Sequence, residues 1–352
     1  MRLIKLFALV TIFLFSVSFA SNIVPNLSPE LLFDSRALGL GGAVTALSDP
    51  SFSFLWNPAG LEKSSLLGLG GNLSISLSPL DPQNLENWRK VLDLFQSLSQ
   101  GEAPSSPQQY DGTLKLGISG GLRFRNFSLA MTNYFDGNFN ANIESTQTAT
   151  LHAEGNNQTT LNVTFASSLA NLPLGLAKLR YGINIAGIRG QKEVYDYNNG
   201  TTYTSSQVGY GVKVDAGVLL NITPILRLGL VGKNLYSTWL STSSQNTDFN
   251  LDLPEREYRL GVMAQVPILG IKALADIWYP EMGEKTVHIG VEIPFVLLSL
   301  RAGAITDLNL NPFYYTLGAG INLLLMQIDA GVAYDVLANN ITTAVLSGKI
   351  GF

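Results

Sequence analysis

From Glu257 to its last residue the chain repeats one unit. Glu257 to Val266, Gly270 to Tyr279, Lys285 to Ile293, Leu297 to Thr306, Tyr314 to Leu323, Leu325 to Asp335 and Thr342 to Phe352 are apolar-rich segments. Each is about 9–11 residues long, the length that crosses a bilayer as a tilted β-strand. Side chains alternate between the faces of a strand. Met326, Ile328, Ala330, Val332 and Tyr334 therefore oppose Gln327, Asp329, Gly331 and Ala333. Val287, Ile289, Val291 and Ile293 oppose His288, Gly290 and Glu292 in the same way, and Phe352, Ile350, Leu346 and Ala344 oppose Gly351, Lys349 and Ser347. One face suits lipid and the other an interior, whereas a water-soluble sandwich would carry more Lys and Glu outward.

The composition agrees. Hydrophobic residues make up 46% of the chain and charged ones 14%, yet beyond the first 20 residues no run is long and apolar enough for a spanning helix. Lys272 interrupts the longest, Val266 to Ile277. The connections alternate between tight corners (Val266-Pro267-Ile268, Pro294-Phe295, Leu323 to Leu325) and longer polar stretches (Tyr236 to Glu255, Pro280 to Glu284, Asp307 to Phe313). That is the asymmetry of short periplasmic turns and long outer loops. The expected fold is an all-β, transmembrane antiparallel barrel over residues 64–352.

Upstream, Ser64 to Ser78, Tyr110 to Phe124, Asn126 to Phe135, Asn157 to Ala170, Leu176 to Tyr195, Tyr203 to Asn221 and Ile225 to Tyr236 read as further strands. Asp136 to Asn157, rich in Asn, Thr and Gln, reads as a solvated outer loop with room for a hairpin of its own. Within 79–109, Leu85, Trp88, Leu92 and Phe95 at helical spacing mark a helix in an outer loop over the barrel mouth. With both chain ends on the periplasmic side the strand number must be even, and the count is about 14. Trp278, Tyr279, Tyr314, Tyr315 and Tyr334 fall near strand ends, where interfacial rings are expected.

Arg2 and Lys5 followed by an apolar run to Phe15 and small residues to Ala20 read as a cleaved signal peptide, residues 1–20. Two of the 22 basic residues fall in that leader, leaving 20 against 26 acidic ones. No basic stripe remains to hold nucleic acid. Cysteine is absent, so disulfides and thiolate chemistry are excluded.

Residues 21–63 differ in kind. Arg36 to Leu61 is glycine-rich and almost free of charge, and Gly39, Gly41, Gly42, Pro50 and Pro58 interrupt any single helix. Phe52, Phe54 and Trp56 need burial. A compact plug inside the barrel meets both conditions.

The Ala-Leu-Gly-Leu-Gly-Gly-Ala run of residues 37–43 and the Asn57-Pro58-Ala59-Gly60-Leu61 close resemble the N-terminal hatch of the FadL-like outer-membrane transporters, in particular their PorV-like relatives. Tyr258 to Val262, His288 to Glu292, Leu300 to Gly303, Thr316 to Gly320 and Asp329 to Tyr334 extend the resemblance over most of the chain; Gly71 to Thr160 carry little of it. It implies an outer-membrane protein that passes hydrophobic or amphipathic small molecules such as long-chain fatty acids. In it Asn57, Pro58, Ala59 and Gly60 anchor the hatch. The terminal Phe352 resembles the ending read by the barrel assembly machinery. Outer-membrane lipids and a hydrophobic small molecule are the implied partners. A PorV-like adaptor that holds exported proteins and transports nothing is the alternative, favoured by an exposed apolar patch on ordered outer loops; an apolar pocket between plug and wall favours transport.

The inward faces collect Lys213, Asp215, Arg227, Lys233, Arg259, Lys272, Asp276, His288, Glu292, Arg301, Asp329 and Lys349. Most are expected to pair with one another and with the plug. Arg259 and Arg301 are the candidates to orient a ligand head group, with Phe52, Phe54 and Trp56 along its tail. His152 and His288 are the chain's two histidines, and no His cluster has metal-ligand spacing. No catalytic residue, metal or cofactor is assigned.

Overall fold

The structure, a computed structural model, describes residues 27–47, 49, 51–62, 69–78, 108–145, 148–169, 178–198, 201–245, 251–351 and a few positions between 83 and 93. The expected leader, Phe352 and most of the 79–109 loop lie outside them; residues 83, 85–87, 89, 90 and 93 are helical.

Fourteen strands follow in order: β1 (Leu69–Ser78), β2 (Gln108–Phe124), β3 (Phe127–Ser145), β4 (Thr148–Ser168), β5 (Lys178–Asn198), β6 (Thr201–Thr223), β7 (Leu226–Gln245), β8 (Glu257–Gln265), β9 (Lys272–Pro280), β10 (Thr286–Pro294), β11 (Leu298–Thr306), β12 (Pro312–Asn322), β13 (Met326–Asp335) and β14 (Asn340–Gly351). Each pairs antiparallel with its chain neighbours. β1 pairs with β14, from Gly70 opposite Gly351 to Leu77 opposite Ala344, and closes the barrel. Closure leaves no edge in the hydrocarbon, where an unpaired backbone group would cost several kcal/mol.

The alternation read from the sequence sorts the faces. On β8, Tyr258 and Leu260 point out while Arg259 and Met263 are buried; on β13, Met326, Ile328 and Ala330 point out and Asp329, Gly331 and Ala333 in. Tyrosines ring the long-loop ends: exposed Tyr258 lies opposite exposed Tyr279, and exposed Tyr315 opposite the half-buried Tyr334, with exposed Tyr236 on the adjacent β7. They mark one membrane–water interface. Trp278 and Tyr314, expected in that girdle, are buried inside the barrel instead. Each neighbours an outward tyrosine in sequence, so the period of two turns it inward.

The wall is uneven. β2 to β7 run 17 to 23 residues, β8 to β14 only 9 to 12. Asp136 to Asn157, expected as an outer excursion with room for a hairpin, is that hairpin, continuous with the wall strands and part of this extension: Asp136 pairs with Asn156, and pairing continues to Ser145 opposite Thr148. Above the lipid-facing belt the burial pattern inverts. Asn138 and Asn140, on the strand face of the inward Ala130 and Thr132, are exposed, while Phe139, Ala141 and Leu151, on the face that carries Leu129 and Leu161 lower down, form a second small core with Tyr110, Tyr195 and Tyr197. The extension has two side edges, where β1 pairing stops at Lys115 and β8 pairing stops at Lys233. Both are covered, as free edges in water usually are. Asn87 donates to Asp111 O (2.9 Å) on the first; on the second Trp239 Nε1 donates to Leu251 O (3.1 Å) and Asn234 Nδ2 to Glu255 O (2.7 Å).

Residues 27–62 fill the lumen. They comprise a 3-10 turn Pro29–Phe33, a helix α1 (Ser35–Gly39), the positive-φ pair Gly41 and Gly42, and a second 3-10 turn Pro58–Glu62. Asp34 caps α1, accepting from Arg36 N (3.0 Å) and Ala37 N (3.2 Å), and also accepts from Trp56 Nε1 (2.8 Å), which ties the two ends of the plug together. Leu31, Leu38, Leu40, Phe52, Phe54 and Trp56 form one core with Met263, Leu274 and Ile305 of the wall.

Candidate functional site

The hatch sits in a seat cut out of the wall by glycines. Gly182, Gly217, Gly229, Gly290, Gly303 and Gly331 face inward where the hatch backbone touches the strands. A Cβ at Gly303 would lie 2.3 Å from Gly41 N, at Gly331 2.5 Å from Ser35 O, at Gly229 2.2 Å from Thr45 O and at Gly182 2.4 Å from the Pro58 carbonyl carbon. Contacts that short leave no room for a side chain, so two backbones pack directly against each other.

Two ionic clusters clamp the hatch from opposite ends. Toward the short turns, Arg36 Nε and Nη2 donate to both oxygens of Glu292 (2.8 and 2.9 Å), and Nη1 donates to Asp49 (2.8 Å). Glu292 also accepts from Arg301 Nε (2.8 Å) and from Lys272; Arg301 reaches Asp329 (2.6 Å) and Lys349 reaches Asp49 (2.7 Å). Toward the long loops, Glu30 pairs with Arg259 and with Lys233 (3.1 Å), and Lys233 also reaches Asp215 (3.5 Å) and Leu55 O (2.7 Å). Between the clusters, Asp276 accepts from Val44 N (2.8 Å) and Thr45 N (2.7 Å), and His288 Nδ1 donates to Gly41 O (2.6 Å). The inward charges read from the sequence are thus largely partners of hatch groups. Three of those hatch groups, Glu30, Arg36 and Asp49, carry no role in the sequence reading, although a charge in an apolar plug implies a partner in the wall.

The hatch acids respond to burial and charge in opposite directions. Burial alone would raise Glu30, but Arg259, Lys233 and Lys213 outweigh it and bring it down to about 2. Burial would likewise raise Asp49, and Lys349 and Arg36 hold it well below the usual range. At Asp34 burial prevails: with Asp49 adding to it, it outweighs Lys349 and the hydrogen bonds from Trp56 and Ala37 and pushes the carboxyl up to about 6. A carboxyl raised on folding opposes stability once it ionises. From pH 7 down to about pH 5 the hatch should therefore tighten by ~1 kcal/mol as Asp34 takes up its proton. It should loosen again below about pH 4, where Glu30 of a released hatch takes up a proton that the seated carboxylate, held at about 2, does not. Hydrogen exchange of residues 34–47 against pH reads this out; protection that falls monotonically from pH 7 to 5 would contradict it.

Asn57, Pro58, Ala59 and Gly60 occupy a corner against β5 and β6. Asn57 Nδ2 donates to Thr45 O (2.8 Å) and Val218 O (3.2 Å), its Oδ1 accepts from Ala59 N (3.0 Å), and its backbone oxygen accepts from Gly60 N (2.8 Å). One side chain thus joins two hatch segments to the wall, and Gly217 makes room for it. Asn57→Ala should strip those buried partners at a cost of about 1–3 kcal/mol. The expected readout is faster proteolysis within the hatch of a barrel that stays closed; unchanged proteolysis would contradict it.

A cavity of about 120 Å³ lies between the first hatch segment and the long-loop ends of β8 to β12. Leu27, Leu31, Trp278, Pro280, Ile305 and Tyr314 give it an apolar body, and Ser28, Glu257, Glu284, Thr286 and His288 line the rest. Its base is a stack: His288 lies 3.9 Å from Trp278, and the Arg259 guanidinium covers the other ring contact of Trp278 at 3.8 Å. Arg259 is itself held by Glu30 and Glu257, and Arg301, fully buried, by Glu292 and Asp329. Neither borders the cavity. Phe52, Phe54 and Trp56 lie in the hatch core, with Phe52 and Phe54 6.4 Å apart and Trp56 6.1 Å from Trp278. Among the described residues no group of three or more His, Asp or Glu is placed to hold a metal.

No protein-family profile matches the sequence, and no curated protein matches it. Solved structures do. The Ralstonia pickettii toluene transporter TbuX superposes with a TM-score of 0.56 at 9% identity over 90% of this chain and 98% of that one. The P. putida toluene transporter TodX gives 0.54 at 10% identity over 90% and 97%, and a Pseudomonas aeruginosa FadL homologue 0.54 at 10% over 91% and 98%. At such identity the shared property is the fold. This chain has the fold of the FadL-like outer-membrane transport barrels: a closed antiparallel barrel of fourteen strands with its N-terminal segment packed in the lumen.

Proposed function

We propose that this protein passes small hydrophobic molecules across the outer membrane. In this reading they enter at the long-loop face, lodge in the cavity above the hatch, and move on when the hatch shifts. The observation that carries the reading is that cavity, walled by Leu31, Trp278, Ile305 and Tyr314 and bounded on one side by the hatch itself. Its size is comparable with the roughly 150 Å³ apolar cavities that take up benzene. Toluene transporters share the fold, which agrees with a ligand of that size.

The cavity's charges narrow the ligand further. Glu257 and Glu284 line it, and Asp307 lies close enough to Glu284 to oppose its ionisation. An incoming carboxylate would be repelled there, and the cations that could receive it, Arg259 and Arg301, are already paired. A neutral compound of one ring therefore fits the seated hatch better than a long-chain fatty acid. Arg259 acts by supporting the Trp278 floor, and Asn57 to Gly60 act by holding the hatch. Equilibrium dialysis of the purified protein with toluene and with palmitate separates the possibilities. Saturable toluene binding that palmitate does not displace is the expected result; palmitate binding without toluene binding would overturn this choice.

A further inference from the structure

Three of the short turns are unlike turns that stand in water. Residues 266–271, between β8 and β9, read Val-Pro-Ile-Leu-Gly-Ile; residues 295–297, between β10 and β11, Phe-Val-Leu; and residues 323–325, between β12 and β13, Leu-Leu-Leu. None carries a polar side chain. Their tips are stripped of protein contact: Ile268 is 105%, Val296 94% and Leu324 98% exposed. Ile268 holds a positive φ of 71°, a backbone region where glycine or asparagine is ordinary and a β-branched residue is an outlier. The apolar side chain is kept there despite its backbone.

The turns form one rim. Asn322 N donates to Leu297 O (2.8 Å), which joins the second turn to the third, and a Cβ at Gly270 would lie 3.1 Å from Pro294 Cγ, which places the first beside the second. The rim is continuous with the lipid-facing belt directly above it, where Ile293, Leu300, Ile321 and Ile328 are all exposed. The opposite ends of the same strands carry Glu281, Glu284, Asp307, Asn309, Asp335 and Asn339. On the other half of the barrel the same end carries the Arg125-Asn126 and Thr223-Pro224 turns. An exposed apolar patch of this kind marks an interaction surface.

Strand length indicates the occupant. Nine residues at ~3.3 Å each, tilted about 40°, rise roughly 23 Å, less than the ~25 Å apolar band of an outer-membrane barrel. β8 to β11 have nine residues each, the low end of what crosses a bilayer, so no strand length is left to lift the turns clear of the band.

We propose that the turns 266–271, 295–297 and 323–325 are immersed in the hydrocarbon of the bilayer leaflet on the short-turn side. The partner of this surface is lipid acyl chain, and the β8–β13 half of the barrel is seated deeper than the β2–β7 half. The inference rests on the barrel's crossing a membrane and is independent of what the barrel transports.

The absence of cysteine makes the test clean. Ile268→Cys, Val296→Cys and Leu324→Cys, with Asn126→Cys as the reference, are each spin-labelled in the full chain reconstituted into phospholipid vesicles. Collision with dissolved oxygen is compared with collision with a water-soluble nickel chelate. Because all four positions are exposed, the labels should leave the fold intact, and the closed barrel is checked by its resistance to unfolding in cold detergent. The proposal expects oxygen collisions to exceed nickel collisions several-fold at 268, 296 and 324, with the reverse at 126. Nickel-dominated collisions at all four sites would overturn it. So would low access to both reagents at 268, 296 and 324, the sign that protein covers the rim.

Discussion

Glu292→Ala is expected to free the short-turn half of the hatch while leaving the barrel closed. Glu292 takes both donors of Arg36 and one each from Arg301 and Lys272. Its removal leaves three cations facing one another around a buried site, with Asp49 and Asp329 able to compensate only Arg36 and Arg301. Breaking a buried ion pair by deleting one partner typically costs 3–5 kcal/mol, and here one deletion breaks three. The barrel's own hydrogen bonds, including the β1–β14 seam, do not pass through this side chain. Amide exchange across residues 36–47 should rise by two to three orders of magnitude while the strands stay protected. Equal protection of the hatch in the two proteins would show that the cluster does not clamp it.

Gly303→Val should unseat the same segment by a different route. The added Cβ would meet Gly41 N at 2.3 Å and the Leu40 carbonyl carbon at 2.4 Å, both backbone atoms that cannot rotate away. Overpacking commonly costs 1–3 kcal/mol, and a clash between two backbones belongs at the upper end. Gly187→Val is the matched control, since nothing lies within 4 Å of its Cβ position. The first substitution should open the hatch to protease and the second should not. Equal resistance of the two variants would remove the glycine seat from the account.

The barrel was legible in the sequence because its two solvents differ. Where β8 to β14 face lipid, Leu260, Ile289 and Ile328 alternate with Gly261, Glu292 and Asp329, and strand limits read from that pattern fall within about three residues of those in the structure. Where β3 and β4 rise into water the pattern inverts, so Asn138 and Asn140 hid the strand carrying Phe139 and Ala141. The same period of two, applied strictly, would have turned Trp278 and Tyr314 inward. The inward charges were also legible, but their partners were not. Glu30, Arg36 and Asp49 sit in a segment without periodicity, and which wall residue each meets depends on how the hatch folds back on itself. The cavity is a space between segments far apart in sequence, Leu27 to Leu31 and β8 to β12, and no local pattern encodes it.

The glycines show how hatch and wall specify each other. Gly303 lies opposite Thr316 and Gly331 opposite Gly318, so the strands keep their ladders intact while their inner surface is lowered only where the hatch touches it. A barrel that lost its hatch would retain these glycines with nothing against them, a row of weak strand formers. Seat and plug are one design, and in the proposed transport a ligand has to move the hatch or pass beside it.

Uptake of radiolabelled toluene into vesicles carrying the reconstituted protein tests the transport reading most directly. It should be saturable, exceed that of protein-free vesicles, and be lost when Ile305→Trp fills the cavity in a barrel whose hatch protection is unchanged. Uptake no faster than in protein-free vesicles, or uptake that the filled cavity leaves untouched, would contradict transport through the space above the hatch.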